Sequence, residues 1–167
     1  MIIDFHAHMF PDKIAARTID FLSKTGGDMN PFTDGTWKGL KESTKQAGID
    51  HSIVLPIATR PGQFHTINEF ATHFQEGTLI SFGSLHPESE NYKEELRQIQ
   101  DMGMKGIKLH PDSQDTYFND IRYKRIISYA TELGLIISVH TGQDPKCPDN
   151  IHCTPAMAEE VLNEVEP

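Results

Sequence analysis

Gly106-Ile107-Lys108-Leu109-His110, then Asp120–Leu133, then Gly134, then Leu135-Ile136-Ile137-Ser138-Val139-His140: the order is strand, helix, glycine, strand. The outer runs are short and apolar, as β-strands are, and the long segment between them carries a helical pattern. The unit recurs along the chain. Strands are expected at Ile2–His8, Ser52–Ile57, Leu79–Leu85, Gly106–His110 and Leu135–His140, with helices at Asp12–Lys24, Thr36–Ala47, Thr66–Gln75, Glu90–Met102 and Asp120–Leu133. Trp37, Leu40, Thr44 and Ala47 give the second helix a stripe that can be buried. Gly48, Gly77, Gly103 and Gly134 each sit just past a helix, where a left-handed cap is wanted. A period of strand, helix and glycine predicts an α/β fold built from successive βαβ units around a parallel sheet. No linker interrupts the pattern, so residues 1–167 are expected to form a single domain, with Gly26–Gly35 the one irregular stretch long enough to be a functional loop.

Composition narrows the partners. With 24 acidic and 15 basic residues the formal net charge is −9, which argues against nucleic acid or an anionic membrane surface. No apolar run approaches the length of a membrane span. Met1-Ile2-Ile3-Asp4 lacks the basic start of a secretory leader. The two cysteines, Cys147 and Cys153, are expected to be ordinary reduced thiols. A soluble, cytoplasmic protein is the expectation.

In a parallel α/β fold, ligands gather outside the carboxyl ends of the strands. This chain concentrates its histidines there. The first strand, Ile2-Ile3-Asp4-Phe5-His6-Ala7-His8, places Asp4, His6 and His8 on one face and Ile3, Phe5 and Ala7 on the other. The third strand runs into His86, the fourth into His110 and the fifth into His140, so four of five strands finish in histidine. His51, His65 and His73 lie elsewhere. Neutral imidazoles are ligands for zinc and similar divalent ions, and His6, His8 and His140 are the candidate set. Asp4 is expected to support a ligating ring from beneath, or to sit in a barrel layer.

Other strand-end residues keep two readings. His110 is either a catalytic or substrate-binding residue or a turn residue before Pro111. Lys108, on the same face, either lines the site, where carboxylation would let it bridge two metals, or is a salt-bridged structural lysine. Arg60 and His86 sit at substrate-facing positions, with a surface-loop role as the alternative. His152 stands beside Cys153, but its spacing fits no usual zinc pattern. Thr154-Pro155 instead looks like a helix N-cap followed by first-turn proline.

Asp4-Phe5-His6-Ala7-His8, Gly106-Ile107-Lys108-Leu109-His110-Pro111 and Ser138-Val139-His140-Thr141-Gly142 together resemble the amidohydrolase superfamily. The likeness is to its amidohydrolase-related (amidohydrolase 2 type) metal-dependent hydrolases. It implies a (β/α)8 TIM barrel, of which about the first five βα units are present, and a Zn²⁺-type ion on His6, His8 and His140. The implied chemistry is hydrolysis of an amide, ester or lactone bond in a small molecule by a water that the ion activates. His110 would orient the substrate or stabilise an oxyanion, and Lys108 or Arg60 would bind a substrate carboxylate. The resemblance also implies a histidine after the sixth strand and an aspartate after the eighth, which have no counterpart in the 167 residues. A barrel takes about 250 residues, so the chain is expected to be a piece of a longer protein or a shortened form completed by another chain, a homo-oligomer included. Two other functions fit: a metal-dependent nonoxidative decarboxylase of an aromatic or unsaturated acid, and a noncatalytic half-barrel assembly module. A phosphoesterase or nuclease is disfavoured, because the acidic ligand expected near the fourth strand is not evident.

Overall fold

Alternating Ile, Val and Leu runs and the helices between them produce strands β1 (Ile3–Ala7), β2 (His51–Val54), β3 (Leu79–Ser81), β4 (Gly83–Ser84), β5 (Gly106–Leu109) and β6 (Ile136–Val139). The helices are α1 (Asp12–Thr25), α2 (Trp37–Gln46), α3 (Phe64–Ala71), α4 (Tyr92–Asp101), α5 (Ile121–Glu132) and α6 (Pro155–Glu164). The structure, a computed structural model, describes residues 1–26, 30–145 and 147–165. The expected loop Gly26–Gly35 thus lies partly outside the described residues. Every strand pair is parallel, and spatial order follows chain order, β1-β2-β3 and then β4-β5-β6. Sequential parallel strands with helical crossovers form the wall of a (β/α)8 barrel.

Helix ends fall close to where the sequence places them, except that α3 stops at Ala71 and Gly77 therefore caps no helix. Thr36, Asp120 and Thr154 cap α2, α5 and α6, each accepting a backbone N–H with its side chain. Gly103 and Gly134 take positive φ just past α4 and α5, a conformation that a Cβ disfavours. On α2, Leu40 and Thr44 are buried and Trp37 packs beside them, while Ala47 is exposed.

Three elements differ from expectation, the first being the strand expected over Ser52–Ile57, which occupies His51–Val54. The strand expected over Leu79–Leu85 breaks at Phe82, whose ring is buried and meets Phe5 edge-on at 5.6 Å. The break hands the chain from one neighbour to the next: β3 pairs with β2, and β4 pairs with β5. Phe82 N–H still donates to Val54 O (2.9 Å), so the wall stays closed there. The helix expected over Thr66–Gln75 occupies Phe64–Ala71. Gln75 Nε2 takes over its last carbonyl, donating to Ala71 O and to Ser81 O, and Phe74 turns in against Trp37 and Phe70.

The larger core lies between β4-β5-β6 and the helices over them, where Leu85, Leu96, Ile99, Ile107, Leu109 and Ile126 are wholly buried. Each such side chain contributes about 1.5–3 kcal/mol by leaving water. A smaller cluster of Ala7, Leu40, Val54 and Leu79 joins β1-β2-β3 to α2. A third, of Ile53, Leu55 and Phe82, lies along the end of β2 and at the β3–β4 break, and together these clusters fix the strands that hold up one rim of polar ends.

Candidate functional site

A clasp of buried amides sets that rim. Gln114, in the turn after β5, donates from Nε2 to Ala58 O (2.8 Å) and Leu85 O (2.9 Å). Its Oε1 accepts from His110 N–H (2.9 Å) and Tyr123 O–H (2.7 Å). Ser84 Oγ accepts from Ala58 N–H and donates to Lys108 O, and Asn68 brackets Ser84 through both its backbone groups. The ends of β2, β4 and β5 are thereby locked together. His110 owes its position to this clasp.

The histidines converge in two pairs. His6 and His8, at the end of β1, have ring centroids 5.1 Å apart. The β1–β2 register slips between Asp4 and Ala7, and such bulges re-aim side chains beside sites. Asp4 Oδ1 accepts the backbone N–H of His6 (3.0 Å), so it supports the main chain of the pair rather than a ring. His110 and His140 stack face to face, 4.1 Å apart and 7° from parallel. The pairs share one electrostatic environment: His6 and His8 both feel Lys108 and His140.

Protonation states follow from the partners. Burial, then the charges of His6 and Lys108, pushes the His8 pKa down to about 4. Its Nδ1 lies 2.9 Å from Leu55 O, and a carbonyl only accepts, so the proton sits on Nδ1 and Nε2 is left as a lone-pair donor. Burial, followed by His140, lowers the His110 pKa to about 3. His110 Nδ1 accepts from Ser113 N–H (3.3 Å), so this neutral ring carries its proton on Nε2. Lys108 is fully buried, and burial brings its pKa down to about 8.

Several atoms at the rim lack partners. His140 Nε2, Lys108 Nζ and Asp112 Oδ2 are buried without a hydrogen bond, an arrangement that is costly unless something else binds there. Ligand atoms of His110, His140 and Asp144 all fall within 4.8 Å of one another. His140 Nε2 is 3.8 Å, and His110 Nε2 is 3.7 Å, from Asp144 Oδ2. His140 Nε2, unpartnered and 3.9 Å from Asp112 Oδ2 and 3.8 Å from Asp144 Oδ2, has the donor set of a divalent metal site, and His8 presents a lone-pair nitrogen in the same electrostatic environment. His110, with its Nε2–H, fits a hydrogen-bond donor better than a ligand.

His6, His8, Lys108, His110 and His140 thus gather at one rim, as their strand-end positions implied. His86 is buried, but its Nδ1 accepts from Glu88 N–H, and its charged neighbours are Glu88 and Arg122. Arg60 is exposed at the turn before Pro61, with its backbone N–H held by Gln63 Oε1 and no contact to the histidines among the described residues. Asp112, Gln114 and Asp144 have no place in the sequence reading, and His152, set aside there for want of a zinc spacing, proves to hold Asp112. The signal for Asp112, Gln114 and Asp144 was position, because they follow His110 or His140 by two to four residues.

A set of parallel β/α units with histidines and a lysine at the carboxyl rim defines a TIM-barrel metal-centre architecture. The chain belongs to the amidohydrolase family, whose model matches residues 3–164. No curated protein matches the sequence. Among solved structures it is similar to an uncharacterised TIM-barrel protein from Bordetella bronchiseptica (TM-score 0.67, 16% identity), covering 98% of this chain and 63% of that one. It is also similar to 5-carboxyvanillate decarboxylase of Novosphingobium aromaticivorans, a structure with bound manganese (TM-score 0.62, 13% identity, 97% of this chain and 55% of that one). A third is the apo form of Metarhizium anisopliae IDCase (TM-score 0.62, 17% identity, 84% and 50%). The chain spans only about half to five-eighths of the length of these structures. They establish the barrel fold. Among the described residues, no helix is long and apolar enough to cross a membrane.

Proposed function

We propose that this chain forms the first part of the active site of a metal-dependent hydrolase that cleaves an amide, ester or lactone bond in a small carboxylate-bearing molecule. The ion is held by His6, His8 and His140, with zinc as the first choice and manganese, present in the decarboxylase structure, as the second. The reading rests on one observation: the unpartnered, buried Nε2 of His140, within electrostatic reach of the His6–His8 pair. A bound divalent ion supplies an acidified water and a Lewis-acid contact for a substrate oxygen.

The protein's own groups do the rest. His110, kept neutral by burial, points a proton outward from Nε2 and stabilises negative charge growing on a substrate oxygen. Lys108, buried and without a partner, meets a substrate carboxylate. Arg60 and His86 take outer substrate contacts at most, given where they lie.

A second reading, nonoxidative decarboxylation, is favoured by the three structures among the similar folds that are named 5-carboxyvanillate decarboxylase. Lys108 would then hold the carboxylate that leaves. Metal analysis of the purified chain tests the centre: His6→Ala and His140→Ala should each lose most of the bound ion, and His73→Ala should keep it. Equal retention in all three would remove the assignment. A panel of lactones, esters and aromatic acids, followed by acid release and by CO₂ release, separates the two reactions.

A further inference from the structure

Asp112 is a carboxylate with one oxygen explained and one not. It lies in the turn after β5, and its side chain is 1% exposed. Oδ1 accepts from His152 twice, from the backbone N–H (3.3 Å) and from Nδ1–H (2.9 Å). His152 is itself held, with Asn150 Nδ2 at 3.3 Å from its Nε2 and the Tyr117 ring packed 4.9 Å away. The other oxygen, Oδ2, is buried with no hydrogen bond. Across from it, at 3.9 Å, is His140 Nε2, which is equally buried and equally unpartnered.

That distance is too long for a hydrogen bond. It suits two donors on one ion: bonds of about 2.1 Å at a tetrahedral angle put donor atoms about 3.4 Å apart. A closure of roughly half an ångström would bring both onto the ion. We propose that Asp112 Oδ2 is a ligand of the divalent ion at His140, so the turn after β5 adds an anionic donor to the strand-end histidines. This rests on the metal-centre reading above. His152 is then a positioning residue, because its two bonds to Oδ1 aim Oδ2 at the ion.

Co²⁺ added to the metal-free chain is the probe. Asp112→Asn keeps the shape and an acceptor for His152 but loses the charged donor. We expect its Co²⁺ affinity to fall about 100-fold or more, with the visible bands of bound Co²⁺ altered and far-ultraviolet circular dichroism unchanged. Asp115→Asn, at an exposed carboxylate also near His152, should change neither. Asp112→Cys should add a near-ultraviolet cobalt–thiolate charge-transfer band that the parent chain lacks, and it decides the matter if Asp112→Asn does not fold. Parent-like binding and spectrum in Asp112→Asn, or a Co²⁺-loaded Asp112→Cys chain without the new band, overturns the proposal. If His6→Ala and His140→Ala abolish binding while Asp112→Asn does not, the centre stands and only the role of Asp112 falls. If the parent chain binds no Co²⁺, both fall.

Discussion

Consider Gln114→Leu, which preserves bulk and removes both polar atoms that Gln114 gives the clasp. Gln114 is 3% exposed. Its loss strands four groups at once: the carbonyls of Ala58 and Leu85, the N–H of His110 and the hydroxyl of Tyr123. All four residues are buried. A buried polar group deprived of its partner costs about 1–3 kcal/mol, and the turn can relax, so the low part of the sum, about 4–6 kcal/mol, is expected. Against a typical total of about 5–15 kcal/mol, that is a large share. With m about 2 kcal/mol/M, the urea midpoint should fall by about 2–3 M. The melting temperature should fall by about 10–20 °C for a chain of this size. Urea titration followed by circular dichroism measures it, with Gln46→Leu, at an exposed glutamine on α2, as a control expected within about 0.5 kcal/mol. A loss below about 1.5 kcal/mol for Gln114→Leu would mean that the clasp is not what fixes the strand ends.

Two further outcomes follow from buried or capping charge. Burial lowers the Lys108 pKa from 10.5 to about 8, so below pH 8 the folded, metal-free chain carries a penalty that the unfolded chain does not. Lys108→Met should therefore be more stable than the parent at pH 7. The advantage should shrink as pH rises from 8 through 10.5, because the unfolded state there binds the extra proton; a gap independent of pH would refute this. Asp120 caps α5 and is paired with Arg122, which holds its pKa down at about 2. Asp120→Ala should cost about 1 kcal/mol at neutral pH, and the difference, measured by urea titration at stepped pH, should vanish as pH falls from 3.8 to about 2, where the parent's carboxylate is protonated too.

Much of this molecule is written locally. Strand runs, the helix cap at Thr154 and the glycines just past three helices (Gly48, Gly103 and Gly134) act through neighbours in sequence, so their reading carries over to the structure. The rim histidines were legible for a similar reason: a parallel strand always delivers its last residues to the ligand side. What stayed hidden depends on distant chain. Gln114 finds acceptors 56 and 29 residues away, and Asp112 meets His152 across 40. No spacing rule links such positions. The same holds for Arg60 and His86, whose strand-end addresses look alike in sequence but whose partners, Gln63 for Arg60 and Glu88 and Arg122 for His86, are set by the local turns and by packing. By itself the sequence determined the βα order and which histidines reach the rim, because both follow from backbone periodicity. Tertiary structure alone decided which nitrogen of His8 and of His110 keeps its proton and which buried atoms go without a partner, because those depend on carbonyls and amides that only packing brings within 3 Å or so.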